Sequence, residues 1–269
     1  MSTGTEKQTC ENLSRRNLLK GAVLGVAGTA AVASGGWALS EAQAKSCPAL
    51  KWPWPYEKLD PAKTAEIAHD EYYRLECGAS LIYSVFSQLA EKIGDPYASF
   101  PVEAFAFLGA GVDTWGTICG ANSGENIVTN LIIGPKTNGV ELGRLMGSEI
   151  MQWYCDTALP DYVPKVSKVK AEIPKTVSSS PLCHVSVGVW MAAAKKPLGS
   201  PERKERCARV TASVAYKTVE LLNAWKDGKY VTKGVFPAKL YHIDAQGNCD
   251  QCHGTNVPSP PMPEKTVKS

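Results

Sequence analysis

The stretch "DPAKTAEIAHDEYYRLECGASLIYSVFSQLAEKIG", Asp60 to Gly94, decides the fold. Asp60 followed by Pro61 is a helix start: a carboxylate that can accept the first free amides, then a residue that needs no amide donor in the first turn. From Ala62 to Ile93 the apolar residues Ile67, Tyr72, Leu75, Leu81, Ile82, Val85, Phe86 and Leu89 recur mostly at helical spacing and form one apolar stripe. Gly78 predicts a kink within it, and Gly94-Asp95-Pro96 ends it. A helix of this length with one apolar stripe needs other helices to cover that stripe.

The remaining chain supplies them. Ser99 to Leu108 reads as a short second helix. Gly109 to Gly134 is glycine-rich and then apolar, its back half a buried helix. Asn138 to Ala158 is amphipathic and is stopped by Pro160. Ser180-Pro181 and Ser200-Pro201 repeat the cap-plus-proline signal and open helices over Pro181 to Lys196 and Pro201 to about Trp225, the second ended by Gly228. Glu202 and Glu205 suit the amino-terminal end of that last helix. Tyr162 to Ser180 is a loop or small hairpin. Pro53 and Pro55 forbid a regular helix over Cys47 to Leu59, where Trp52 and Trp54 are expected to staple the arm to the body. No repeat is visible, and the ending "VPSPPMPEKTVKS" has the composition of a disordered tail. The expected class is mostly α: a helical bundle with an irregular C-terminal extension.

The first residues set the compartment. "SRRNLLKG", Ser14 to Gly21, holds Arg15 and Arg16; a small-residue apolar run follows from Ala22 to Ala33, then Ala42 and Ala44 in a cleavage-like pattern. This resembles a twin-arginine export signal, a type known to carry already folded proteins. The run is too short for a membrane span, and no second long apolar run exists. The expected organisation is a signal over 1–44, a helical redox domain over 45–228, and a haem-binding segment and tail over 229–269, with a soluble periplasmic product. Lys and Arg number 29 against 26 Asp and Glu, net +3. That balance argues against nucleic acid or an anionic membrane as partner.

"GNCDQCHGTN", Gly247 to Asn256, contains one C-x-x-C-H: Cys249, Cys252 and His253. Two cysteines at this spacing reach both vinyl groups of a haem, and the following histidine lies under the iron. A zinc site wants a second Cys/His pair, and a thioredoxin-like redox pair wants a βαβ setting; the sequence has neither. The motif therefore predicts haem c. For the sixth ligand, His242 and His184 are the candidates. His69 sits inside the first helix and reads as ordinary, and Met262 lies in a Pro-rich tail.

The other exported cysteines are Cys47, Cys77, Cys119, Cys155, Cys183 and Cys207. Export favours disulfides: the six could form three, and spacing alone favours two structural disulfides among Cys77, Cys119, Cys183 and Cys207. Yet Cys183 falls at a helix start, where a thiolate is stabilised, and Cys119 lies in "GTICGANSG", where backbone can approach a bound group closely. Cys77 precedes Gly78, and Cys207 sits early in the last helix. These are plausible settings for thiolate ligands.

The blocks "ECGASLIYSVFSQLAEKIG", "GTICGANSG", "LCHVSV" and "RCARVTASVAYKTVELL" resemble the cysteine blocks of the redox-active family named for its C–GCAxxG–C–C pattern, and in particular the split-Soret cytochromes c, which join such a domain to haem c. The resemblance spans about Ala68 to Leu222 plus the haem motif. It implies that Cys77, Cys119, Cys183 and Cys207 ligate an iron–sulfur cluster, of 2Fe–2S or 4Fe–4S type, with Cys155 the substitute should one of them fail. It also implies a homodimer that exchanges electrons with redox partner proteins. The chain departs from the pattern at Ile118, where glycine is expected. It also has one C-x-x-C-H, where split-Soret cytochromes carry two haems per chain.

The expected function is thus a periplasmic electron carrier rather than an enzyme. Two alternatives stand beside it: a cysteine-based oxidoreductase with Cys183 as reactive thiol and haem as electron inlet, and a disulfide-stapled monohaem cytochrome.

Overall fold

The structure, a computed structural model, describes residues 51–134, 136 and 140–236. Among the described residues are five α-helices: α1 (Pro61–Ile93), α2 (Gly120–Ile133), α3 (Leu142–Asp156), α4 (Cys183–Ala194) and α5 (Pro201–Lys226), with a 3₁₀ helix over Val102–Leu108 between α1 and α2. No strand occurs among the described residues; two isolated antiparallel bridges, Ile118 with Leu182 and Leu159 with Thr176, tie loops together. The bundle is the mostly helical fold the sequence predicts.

The helix starts obey their signals. The Asp60 side chain accepts from the amides of Ala62 and Lys63, and the Ser200 side chain from that of Arg203. The Ser180-Pro181 signal works differently. Ser180 Oγ accepts from the Leu182 amide, but α4 begins only at Cys183 and has no side-chain cap. The second expected helix tightens to the 3₁₀ segment, and the expected Asn138–Ala158 helix shortens to α3. The loop from 162 to 180 stays irregular apart from the Thr176 bridge.

The long helix packs most extensively on α5 and then on α2 and the 3₁₀ segment, while α3 lies on α2. Leu81, Ile82, Val85, Phe86 and Leu89 of α1, Val128 and Ile132 of α2, Met146 and Ile150 of α3, and Val210, Val214 and Val219 of α5 form one core. Trp54 joins it edge-on against Tyr97 and Phe100, and its amide donates to Leu131 O at 2.8 Å. Trp54 is the staple the sequence suggests; Trp52 is half exposed and is not.

The kink in α1 falls at Glu76, not at Gly78. Glu76 has φ 60° and ψ −169°, outside helical space. Gly78 serves closeness instead: a Cβ there would lie 2.6 Å from Leu108 Cβ and 2.9 Å from Gly120 O. Glycine lets α1, α2 and the 3₁₀ segment touch by their backbones.

Beyond α5 the chain returns across α3. Tyr230 Oη and the Lys233 amide both donate to Glu149 Oε2 at 2.8 Å, Ser148 Oγ donates to Val235 O, and the Arg144 guanidinium lies 4.9 Å from the Phe236 ring centre. The segment leading to the C-x-x-C-H motif is therefore anchored on α3. Cys249, Cys252, His253 and His242 lie outside the described residues, as do Cys47 and the expected export signal over 1–44.

Candidate metal centre

Four helices or their ends meet around one buried patch, and each carries a cysteine. Cys77 follows the Glu76 kink in α1. Cys119 caps α2. Cys183 is the first residue of α4, and Cys207 lies in the second turn of α5. All four are buried free thiols. Cys77 feels the charges of Cys119, Cys207 and Cys183, Cys119 that of Cys207, and Cys183 those of Cys119 and Cys207, so the four share one site.

Local backbone explains the convergence. The bridge between Ile118 and Leu182 zips two helix starts together: the Cys119 amide donates to Pro181 O at 2.9 Å and the Cys183 amide to Thr117 O at 2.6 Å. Gly120, next to Cys119, leaves room for α1: a Cβ there would lie 3.0 Å from Cys77 Cβ. Gly111 does the same for Cys183, whose Cβ would be 2.9 Å from a Cβ at that position. Cys207 arrives with α5, packed against α1, where Tyr72 and Cys77 are its neighbours.

The segment between the 3₁₀ helix and α2 is one that sequence reasoning missed. Ala110, Gly111, Val112, Asp113 and Thr114 all have positive φ, between 46° and 71°. A left-handed turn of L-residues costs roughly 1–2 kcal/mol per residue. Hydrogen bonds hold it: Asp113 N to Phe107 O at 2.8 Å, Gly116 N to Ala110 O at 3.2 Å, and Thr117 N to Gly111 O at 3.1 Å. Its product is an amide aimed at a sulfur, since Ala110 N–H donates to Cys77. Ala121 N–H does the same for Cys119. Strained backbone of this kind collects at functional sites. Only Gly111 and Asp113 hint at it in the sequence.

Burial pushes the thiols of Cys77, Cys119 and Cys183 up. Cys77 stands well above the ordinary cysteine value through burial and then through the charge of Cys119. Burial and the same mutual repulsion raise Cys183 to about 12. This corrects the expectation of an activated thiolate at Cys183. Desolvation outweighs the helix start, whose amide is already bound to Thr117 O. Cys119 is raised by burial, against donors at Tyr154 and Ala121. Cys155 is only partly buried, raised by burial and Asp156 to about 11, and does not belong to the group.

Cations surround the sulfurs. Arg206 is 2% exposed, with Nη1 3.9 Å from Cys207 Sγ and Nη2 donating to Ser186 Oγ at 2.7 Å. Tyr154 Oη lies within hydrogen-bond reach of the same Ser186 oxygen, also at 2.7 Å. Arg203, one turn before Cys207 on α5, also acts on that sulfur.

The histidines separate clearly. His69 is fully buried, its Nε2 3.3 Å from both carboxylate oxygens of Glu205, which also accepts from Tyr73, Ser167 and Arg209. It belongs to the α1–α5 packing, as the sequence suggested. His184 is exposed, and its Nδ1 lies 2.8 Å from Gly116 O. With Nδ1 donating there, Nε2 is left as the acceptor, the tautomer a metal-binding histidine takes.

Among the described residues no three His, Cys, Asp or Glu side chains close into a group tight enough for one metal ion. Four buried cysteines in one cluster, with backbone amides on two of the sulfurs, are a donor set that suits a polynuclear group rather than a single ion. Thiolates with hydrogen-bonded sulfurs are the donor set of iron–sulfur clusters. The residues fit such a group.

Comparison with known proteins agrees with this geometry. The family profile described as "Putative redox-active protein (C_GCAxxG_C_C)" matches residues 82–221, which include Cys119, Cys183 and Cys207. Split-Soret cytochrome c of Desulfovibrio desulfuricans (strain ATCC 27774 / DSM 6949 / MB) is 35% identical over 206 residues, covering 75% of this chain and 71% of the relative. A solved structure, described as a novel iron centre in the split-Soret cytochrome c from Desulfovibrio desulfuricans ATCC 27774, superposes with a TM-score of 0.63 at 33% identity, covering 75% of this chain and 82% of that one. A redox family profile, a cytochrome relative and a shared helical fold converge on the same part of the chain, and by them this chain belongs to the split-Soret cytochrome c family of redox proteins.

Proposed function

We propose that the chain is a periplasmic electron-transfer protein with one covalent haem c and one iron–sulfur cluster, and that it passes single electrons between redox partner proteins. The observation that carries the cluster is the meeting of four buried free thiols, Cys77, Cys119, Cys183 and Cys207, from four different elements. Such thiols are inert as nucleophiles, and burying four together serves no packing need that alanine or valine would not meet. A metal group gives them a role by replacing their protons. The cluster would supply a one-electron couple, and the chain's residues hold it, donate to its sulfurs and keep water from it.

For the haem, Cys249 and Cys252 would form the thioether bonds and His253 would take one axial position. His242 and His184 are the candidates for the other. The exposed side chain of His184, with its Nε2 left as acceptor, supports a bond to a haem of a second copy of the chain, in line with a homodimer. The relative's iron centre and its cytochrome name support both cofactors.

The two alternatives fare less well. A reactive-thiol enzyme needs an activated cysteine, and burial drives Cys183 the other way. A disulfide-stapled protein needs bridges, and Cys77, Cys119, Cys155, Cys183 and Cys207 are all free.

The test is chemical analysis of protein exported from its native host and purified without oxygen. Haem by its pyridine haemochrome, total iron and acid-labile sulfide are measured together, with EPR of the reduced protein. Iron in excess of haem, with labile sulfide, is expected. Iron equal to haem with no sulfide would end the cluster reading, and absence of covalent haem would end the cytochrome reading.

A further inference from the structure

Arg206 brings a positive charge into the core with no negative charge to meet it. The side chain is almost fully buried, and among the described residues it makes no ion pair. Its Nη2 is bound to Ser186 Oγ, a neutral oxygen shared with Tyr154. Its Nε is buried without a hydrogen-bond partner. The groups that feel its charge most are Cys207, Tyr154 and Cys119, and Cys183 feels it too. Protonated, all of these are neutral. Leaving a guanidinium in this state is among the most unfavourable arrangements a core can hold, because desolvation is not repaid by an opposite charge. One change removes the imbalance. When the four thiols bind an oxidised iron–sulfur cluster as thiolates, the assembly becomes a dianion beside the guanidinium.

We infer that Arg206, seconded by Arg203 one turn before Cys207 on α5, is the built-in counter-charge of the thiolate-bound cluster and sets its reduction potential. The inference rests on the cluster reading above. When the cluster takes one electron from an external reductant, its negative charge rises by one; no bond forms or breaks in the protein, and Arg206 keeps its protons. A fixed cation in a low-dielectric core stabilises the more negative state more, so it makes the cluster easier to reduce. The arrangement also explains the orphaned Nε. That N–H is held ready for an acceptor that arrives with the cluster.

The experiment compares the wild-type chain with Arg206→Met, Arg206→Lys and Arg203→Gln. Iron and acid-labile sulfide are counted first. The cluster is then titrated with dithionite and followed by EPR, with the haem absorbance as internal reference. Arg206→Met is expected to hold less cluster and to reduce it at a more negative potential, with the haem midpoint unmoved. Arg206→Lys keeps the charge and is expected to stay closer to wild type. Arg203→Gln, at a half-buried position, is expected to keep its cluster and shift in the same direction by less. If Arg206→Met is recovered without cluster, Arg203→Gln decides: a lowered potential supports the assignment and an unchanged one overturns it. Wild-type potentials in both charge-removing variants overturn the role of Arg206 while leaving the cluster in place. Wild-type protein devoid of labile sulfide overturns the cluster and the counter-charge together.

Discussion

At the scale of single residues, Gly78 and Gly188 make a controlled pair. Both lie inside helices, where alanine is intrinsically better than glycine by about 0.5–1 kcal/mol. At Gly188 an added Cβ meets nothing within 4 Å, so Gly188→Ala should raise the melting temperature slightly. At Gly78 it would lie 2.6 Å from both Leu108 Cβ and Cδ1 and 2.9 Å from Gly120 O, backbone that cannot step aside. Gly78→Ala should cost about 1–3 kcal/mol, the range for overpacking, and should loosen the seat of Cys77. Thermal unfolding followed by circular dichroism reads both, and equal stability of the two variants would refute the close approach. Glu205 gives a second prediction. Burial raises its carboxyl, but donors at Tyr73 and Arg209, the charge of His69 and Ser167 win and hold it down at about 2. Its folded value thus lies below the unfolded one of about 4.3. The stability it contributes is present above the ordinary carboxylate range and is lost as pH falls from there towards 2. Glu205→Gln should flatten that acid limb, so melting temperatures of wild type and variant should converge between pH 5 and pH 2. A difference that stays constant over this range would show that Glu205 does not titrate there.

At the scale of elements, the sequence is most readable where one local signal decides. Asp60-Pro61 and Ser200-Pro201 carry both the capping oxygen and the tolerant proline, and α1 and α5 begin where those signals put them. Ser180-Pro181 has the same letters, yet α4 starts later, because the Cys183 amide is taken by Thr117 O across the bridge. The first elements to escape the sequence are those set by distant partners. The kink belongs to Glu76 rather than to the neighbouring glycine, since glycine was needed where helices touch. The left-handed run from Ala110 to Thr114 has one glycine in five residues, and only its hydrogen bonds and its seat beside Cys77 and Cys183 hold it. This strain can be tested. Val112, at φ 58°, is β-branched and partly exposed, so Val112→Gly removes a clash without emptying the core. A gain of about 1 kcal/mol is expected, the left-handed penalty of one L-residue less the entropy of glycine, read as a rise in midpoint on chemical denaturation. A loss would mean that the Val112 side chain contributes more than its backbone strains.

At the scale of the whole molecule, the two proposed centres use separate parts of the chain, and that separation is itself open to measurement. The four buried cysteines were identifiable as a set only through family resemblance. Their separations in sequence do not form a motif, and it takes α1, α2, α4 and α5 packed together to bring them into range of one another. The C-x-x-C-H, by contrast, is complete in five residues, because covalent haem attachment needs only local spacing. It lies past the point where the chain crosses α3, anchored through Glu149 and Ser148. Loss of one centre should therefore spare the other. Cys207→Ser should abolish labile sulfide and the reduced-state EPR signal while keeping the covalent haem band on a denaturing gel. Cys249→Ala with Cys252→Ala should abolish that band while keeping the non-haem iron and sulfide. Cys155→Ser, outside the thiol group, should change neither. The comparison also bears on order of assembly. The proposed twin-arginine signal would favour a folded body before export, and haem attachment after it would need an accessible motif. A chain exported with haem but no cluster, from a host whose cluster assembly is intact, would reverse that order. If Cys207→Ser instead loses both centres, the four-thiol site is a condition for export rather than a second redox group alone, and the haem segment depends on a body that folds only around its metal.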